Sequence, residues 1–259
     1  MSGPVLITGA GGMVGGAVAA HLRARGAPVA VHAGRADGAL DLPGVAGALV
    51  DRWAPRVVIH CAGLTYGLPE DLWRANVLAP MRLLDAVARH SPAARLVLVG
   101  SSAEYGLTGP GVYLAEDAPC RPDSEYGMSK LATTRLAALS PVATVVARLF
   151  NPVPNDPEPR TLLGRVARAY AAGETEPAGA EQVRDFVPIG SAAACLVGLA
   201  EAPDPPPLVN ICTGVARTAA EQFGRPPPGA AGAWSVGDAR LLASVLGSAG
   251  VPRVSAPAG

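Results

Sequence analysis

The chain has 259 residues, with 21 Lys and Arg balanced by 21 Asp and Glu, so no basic excess argues for a nucleic-acid partner. Apolar residues make up 49%, which excludes disorder, and aromatics only 4%, which leaves Val, Leu and Ala to fill the core of one large or two small domains. No run reaches the ~18 apolar residues of a membrane span, and the N-terminus lacks the positive region of a secretory signal, so a cytoplasmic protein without a membrane partner is expected.

In chain order, Pro4-Val-Leu-Ile-Thr8 is a short apolar run of the kind buried in a parallel sheet. It leads straight into Thr8-Gly9-Ala-Gly-Gly12-Met-Val-Gly15, then into a helical pattern through Val18, Leu22 and Arg25. In such a loop Gly9 permits a tight turn, Gly12 lets the backbone approach a pyrophosphate, and Gly15 lets the helix close on the strand. Free N–H groups at the helix N-terminus favour an anion there. Strand, glycines and helix in this order predict dinucleotide binding through Gly9, Gly12, Met13 and Val14. The spacing is T-G-x-x-G-x-x-G rather than G-x-G-x-x-G.

The end of the second strand bears on which dinucleotide is bound. An acid there holds the adenosine ribose hydroxyl, whereas an arginine accommodates a 2′-phosphate. Val31-His-Ala-Gly-Arg35 offers no carboxylate until Asp37. Arg35 is therefore the candidate phosphate ligand and NADPH the expected cofactor, with NADH as the alternative. The competing view of Arg35 is a solvated loop arginine.

Further strands are expected near 28–32, 56–61, 94–100, 142–149 and 207–211. Helices are expected near 12–25, 44–53, 70–90, 124–139, 160–172, 190–201 and 238–247. This alternation predicts an α/β fold, a doubly wound parallel sheet covered by helices on both faces. Proline-rich stretches at 151–159, 202–207 and 225–229 are taken as loops, and the tail from about residue 251 as frayed. Cys61, Cys120, Cys195 and Cys212 lack paired metal spacing, so structural thiols and no metal site are expected.

Tyr126-Gly-Met-Ser-Lys130 puts a phenol and an ammonium four residues apart, on one face of a helix. A lysine so placed favours phenolate and suits the tyrosine to proton transfer. Alone, such a pentapeptide is far more often an ordinary amphipathic turn than a catalytic pair. Its company gives it weight.

That company is the glycine loop, the strand-ending serines of Val97-Leu-Val-Gly-Ser-Ser102, and Tyr126-x-x-x-Lys130, which together resemble the short-chain dehydrogenase/reductase superfamily. Val58-Ile-His-Cys-Ala-Gly63, Asn76-Val77, Ser101-Ser-Ala-Glu-Tyr-Gly106, Arg148-Leu-Phe-Asn151 and Arg184-Asp-Phe186 resemble its extended branch, the NAD-dependent epimerases and dehydratases of nucleotide sugars. The matches cover about residues 4–200. Within that branch, Gly34-Arg35, Leu40-Asp41-Leu42 and the segment 100–106 look most like the nucleotide-sugar 4-keto-6-deoxyhexose reductases. The resemblance implies a Rossmann-like dinucleotide-binding domain over 1–150. A small, lean substrate-binding lobe over 151–259 would interleave with the end of that sheet.

The resemblance also implies roles. Tyr126 would exchange a proton with the sugar oxygen, Lys130 would hold the nicotinamide ribose, and Ser102 would hydrogen-bond the developing oxyanion. Counting from the strand selects Ser102, while counting back from Tyr105-Gly106 selects Ser101; a strand end fixes position better than a loop, so Ser102 is taken as catalytic. Asp41 and Leu42 would lie against the adenine, and Cys61, Ala62 and Gly63 along the nicotinamide side. Ser101, Glu104, Asn151 and Arg184 are the implied substrate contacts. Glu104 has the alternative of capping the following turn, and Arg184 that of a surface pair with Asp185; a guanidinium suits a diphosphate. The 4,6-dehydratases place an acid or Ser-Glu pair just after the catalytic Ser/Thr, whereas Ala103 follows here. Gly190-Ser191 stands where the family usually has an acidic pair.

The expected function is an NAD(P)H-dependent 4-ketoreductase of a nucleotide-activated 4-keto-6-deoxysugar. A nucleotide-sugar epimerase is the enzymatic alternative, and a dinucleotide-sensing regulatory protein the non-enzymatic one, against which the intact Tyr126 argues. The resemblance further implies a homodimer through the helices carrying Asn76 and Tyr126, with Leu72, Leu83, Leu131 and Leu136 as candidate contacts.

Overall fold

The apolar runs read as strands from the sequence become the strands of one parallel sheet with helices on both faces. The computed structural model describes residues 3–32, 34–154, 159–227, 229 and 232–253. In it β1 (Val5–Thr8) leads into α1 (Met13–Ala24), followed by β2 (Val29–Val31) and α2 (Val45–Trp53). Strand β3 (Val57–His60) precedes α3 (Pro69–Trp73) and α4 (Ala79–His90), which are joined without a break by a π-type turn over Arg74–Leu78. Next come β4 (Arg95–Ser101), β5 (Tyr113–Leu114), α5 (Glu125–Ala137), β6 (Thr144–Leu149), β7 (Pro152–Val153) and α6 (Leu162–Ala171). Then follow β8 (Val183–Arg184), β9 (Val187–Pro188), α7 (Ile189–Glu201), β10 (Leu208–Ile211), β11 (Arg217–Thr218), β12 (Trp234–Gly237) and α8 (Arg240–Leu246).

The main sheet has six strands in the order β10-β6-β4-β3-β1-β2, and every pairing in it is parallel. Successive strand residues point to opposite faces. Val5, Ile7, Val57, Ile59 and Val97 pack with Val18 and Leu22 of α1 and Leu196 and Leu199 of α7. Leu6, Val58, Leu96 and Leu98 pack on the other side with Leu49 and Val50 of α2 and Leu83 and Val87 of α4. This is the expected Rossmann-like, doubly wound α/β architecture. The expected strands and helices all form, with ends within two residues of those read from sequence.

Smaller sheets were not foreseen: β11-β8-β12-β5 and the pair β7-β9. Most of these strands are two residues long, too short to show alternation. A third apolar cluster, with Leu163, Val166, Phe186 and Ala219, anchors α6. Two expected surface contacts need correction. Leu72 and Leu83 are 5% and 0% exposed and belong to the interior, because their helices turn those positions inward. Leu131 and Leu136 are half-buried. Among the described residues no helix is long and apolar enough to cross a membrane.

Candidate active site

The chain turns from β2 back across β1 to reach β3, so adjacent connections diverge between β1 and β3. Open α/β sheets bind ligands at such a point, outside the carboxyl ends of the strands. Gly9 leaves β1 with φ at 72°, and a Cβ on it would stand 2.5 Å from the Ala62 amide nitrogen. A Cβ on Gly15 would stand 2.2 Å from the Gly9 carbonyl oxygen. Side chains are thus shut out of the two inner positions. On the outer flank, a Cβ on Gly11 would meet nothing within 4 Å, and one on Gly12 only Gly9 O at 3.4 Å. Helix α1 starts there without a side-chain cap or an acid in its first turn. An open flank of bare backbone at an uncapped helix start fits the pyrophosphate of a dinucleotide.

Beside this loop lies a cleft of about 460 Å³. Met13, Val14, Cys61, Gly63, Ser101, Ser102, Tyr126, Lys130, Asn151 and Arg184 all line it. Strand β4 delivers the serines at its carboxyl end, and a 3-10 turn over Ser102–Glu104 follows at once. Ser101 Oγ accepts the Ala103 N–H at 3.2 Å, whereas Ser102 Oγ has no hydrogen-bond partner among the described residues. Helix α5 is started by Ser124, whose Oγ accepts the Gly127 N–H at 3.1 Å. It then presents Tyr126 and Lys130, both half-buried, on one face. Lys130 Nζ donates to Val99 O at 2.8 Å, which ties this face to β4.

Asn76 is a buried residue whose structural part sequence did not reveal. Its Oδ1 accepts the Leu64 N–H at 2.9 Å, and its Nδ2 donates to Leu64 O at 2.8 Å and Ser129 Oγ at 3.0 Å. Thr133 Oγ1 donates to the Asn76 carbonyl inside the π-type turn. Asn76 therefore clamps the loop after β3 onto α5. Motif matching marked the position, but the π-type turn that frees its carbonyl carries no propensity signal.

Burial governs the titratable groups. It pushes the His60 imidazole down to about 3, aided by the Lys130 charge, so His60 is neutral and shares a 2.7 Å hydrogen bond with Thr8 Oγ1. It pushes the Cys61 thiol up to about 12 despite Lys130, so Cys61 stays protonated. Arg184 is lowered by burial, against the nearby charges of Asp123 and Glu181. It donates to Val183 O at 2.9 Å, Ala233 O at 2.6 Å and Gln182 Oε1 at 2.6 Å. Asp185 does not pair with it. That carboxylate accepts the N–H groups of Thr213 at 2.8 Å and Gly214 at 2.9 Å.

Not every expected site residue reaches the cleft. Gly9, Gly12 and Ala62 form the loop wall beside it. Asp41 is held by Arg74 at 2.8 Å, and Leu42 is exposed on the same connection. The Arg35 side chain lies outside the described residues. Glu104 needs correction as a substrate contact: it is fully buried and its carboxylate faces Arg148 at 2.8 Å. The cleft also takes in residues that sequence did not single out, including Tyr66, Asp123, Arg165 and Gln182. Arg165 becomes visible only when α6 is set against the cleft.

Comparisons with known proteins agree with this geometry. The model of the NAD dependent epimerase/dehydratase family matches residues 5–212. The dTDP-6-deoxy-L-talose 4-dehydrogenase (NAD(P)(+)) of Kitasatospora kifunensis is 35% identical over 239 residues, 83% of this chain and 75% of its own. A UDP-glucose 4-epimerase of Streptomyces lividans is 34% identical over 175 residues, 58% of this chain and 53% of its own. The solved structure of MoeE5 in complex with UDP-glucuronic acid and NAD superposes with a TM-score of 0.77 at 28% identity, covering 98% of this chain and 95% of its own. From glycine loop to β10, the chain belongs to the NAD dependent epimerase/dehydratase family.

Proposed function

We propose that this enzyme is an NADPH-preferring reductase of a nucleotide-activated 4-keto-6-deoxysugar. The observation that carries the reading is the wall around Ser102. Ala103 follows it, and the neighbouring Glu104 is turned into the core, so the serine turn offers the cleft no acid to protonate a departing hydroxyl. That turn gives elimination of water no donor, while Ser102, Tyr126 and Lys130 supply the proton and the charge stabilisation that carbonyl reduction needs, its hydride coming from a bound nicotinamide. The name of the Kitasatospora relative supports the reading, since oxidation of a 6-deoxysugar at C4 is 4-keto reduction run backwards.

Tyr126 gives its phenolic proton to the sugar oxygen during reduction, and Ser102, whose hydroxyl has no partner among the described residues, hydrogen-bonds the same oxygen as charge develops on it. Lys130 keeps the phenol's face of the cleft positive and is placed to hold a ribose. The loop of Gly9 to Val14 would hold the dinucleotide, with Cys61 and Gly63 on the nicotinamide side. When bound, the nicotinamide supplies the hydride for the carbonyl carbon. Arg184, Asn151 and the α6 wall form the proposed substrate arm of the lobe over 151–259, Arg184 facing the diphosphate. The NADPH preference rests on Arg35 and on Asp41 being engaged by Arg74, which leaves that carboxylate committed.

An epimerase is the second reading, favoured by the Streptomyces relative's name. The two differ in stoichiometry, because an epimerase returns its hydride to the same sugar. Purified protein should be mixed with NADPH or NADH and enzymatically generated dTDP- or GDP-linked 4-keto-6-deoxyhexoses. The expected result is about one reduced nicotinamide consumed per sugar, as hydride balance requires, with NADPH preferred. Isomerisation without absorbance loss would sink the reductase and promote the epimerase.

A further inference from the structure

We infer that Glu104 is a positioning residue, which locks the serine turn to the helix that carries Tyr126 and Lys130. The inference rests on the assignment of Ser102 and Tyr126 to the reaction. Glu104 Oε1 accepts the Ser101 N–H at 3.0 Å. Its Oε2 accepts Thr134 Oγ1 from α5 at 2.8 Å and Arg148 Nε from β6 at 2.8 Å. One carboxylate therefore joins the end of β4, helix α5 and strand β6. Thr134 lies four residues beyond Lys130, so the junction sits one turn along from the reacting face.

A second contact fixes the same helix at its start. A Cβ on Gly127 would stand 2.4 Å from the Ala103 carbonyl oxygen, so the first turn of α5 presses on the backbone of the serine turn. Two points of attachment, at Gly127 and at Thr134, set both the distance and the rotation of α5. Gly100 makes room for this arrangement: a Cβ there would stand 2.7 Å from Glu104 Oε1.

The charge is compensated in place. Arg148 is 2% exposed, lies 4.4 Å above the Tyr105 ring centroid, and donates to Glu116 O at 3.3 Å and Cys120 Sγ at 3.1 Å. A buried ion pair is a poor source of stability, and well-packed apolar residues often replace one without loss. Hydrogen bonds in fixed directions are what apolar packing cannot replace. The pair thus supplies geometry, at a separation where a misplacement of about 1 Å can cost catalysis 10²-fold.

The test uses Thr134→Val, which removes the hydroxyl and keeps the shape, and Thr134→Ser, which keeps the hydroxyl. Turnover is measured with whichever sugar nucleotide the protein converts, by nicotinamide oxidation or by isomerisation, because both routes use Ser102 and Tyr126. Amide hydrogen exchange across residues 101–106 is followed in the protein alone, which makes the inference independent of the substrate. Thr134→Val should melt near the parent, lose about 5- to 10-fold in kcat with KM within about twofold, and exchange faster at Ser101. Thr134→Ser should restore both. Glu104→Gln, assayed where it is folded, should show the same split of kcat from KM. Parent-like turnover in folded Thr134→Val, or Ser101 exchange unchanged from the parent, would overturn the inference.

Discussion

Tyr126 and Lys130 share a face of α5 because four residues make just over one helical turn, and both line the cleft with Ser102. Replacing Tyr126 by Phe removes the proton donor and leaves the ring in place. Turnover should fall by at least about 10²-fold, the usual worth of a positioned general acid, with dinucleotide affinity little changed by titration. Near-parental turnover in the Phe variant would remove Tyr126 from the reaction. Residues of this kind were legible in the sequence, since their spacing is bound to a regular element. Glu104 was not, because a motif gives a position along the chain and not a direction. Its 3-10 turn aims the carboxylate inward, where Arg148 waits, 44 residues away in sequence. Arg184 was half legible: its place in the cleft agrees with its motif, but its bonds to Ala233 O and Gln182 needed the small sheet around β8.

Whole elements were read more securely than side-chain directions. A buried parallel strand needs apolar residues on both faces, and runs such as Val57–His60 announce that without ambiguity. The two-residue strands β5, β7, β8, β9 and β11 announce nothing, because pairing partners far along the chain select them. The π-type turn over Arg74–Leu78 was equally silent. Each α-helical residue advances the face by roughly 100°, so one extra residue in a turn redirects all that follow, and the outward faces of α3 and α4 could not be carried across it from sequence. The glycine loop allows packing and cradle to be separated. Gly15→Ala drives a methyl to 2.2 Å from Gly9 O and should cost about 1–3 kcal/mol, as overpacking does, seen as a lower urea midpoint. Gly11→Ala meets nothing within 4 Å and should leave that midpoint nearly unchanged while weakening dinucleotide binding. A midpoint for Gly15→Ala equal to that of Gly11→Ala would show that α1 does not close on the loop as described.

At the scale of the molecule, assembly turns on the helices around the tyrosine. Helices α4 and α5 lie side by side, joined through Asn76, Ser129 and Thr133. Met81 of α4 is 41% exposed and Met128 of α5 is 46% exposed, as are Trp73 at the end of α3 (41%) and Leu78 at the end of the π-type turn (37%). Exposed large apolar side chains on neighbouring helices are what a second copy covers in a symmetric helix bundle, each presenting the same surface to the other. A homodimer through this face is therefore expected, built on Leu78, Met81 and Met128 rather than on the inward Leu72 and Leu83. Sedimentation at micromolar concentration should give twice the 26.0 kDa chain mass. The double change Met81→Glu and Met128→Glu should give single chains, because it sets like charges across the two-fold axis where apolar contact is removed. Both substitutions sit on exposed positions, so the monomer should melt as a folded protein. A parent that sediments only as a single chain, or a double variant that still pairs, would place the interface elsewhere.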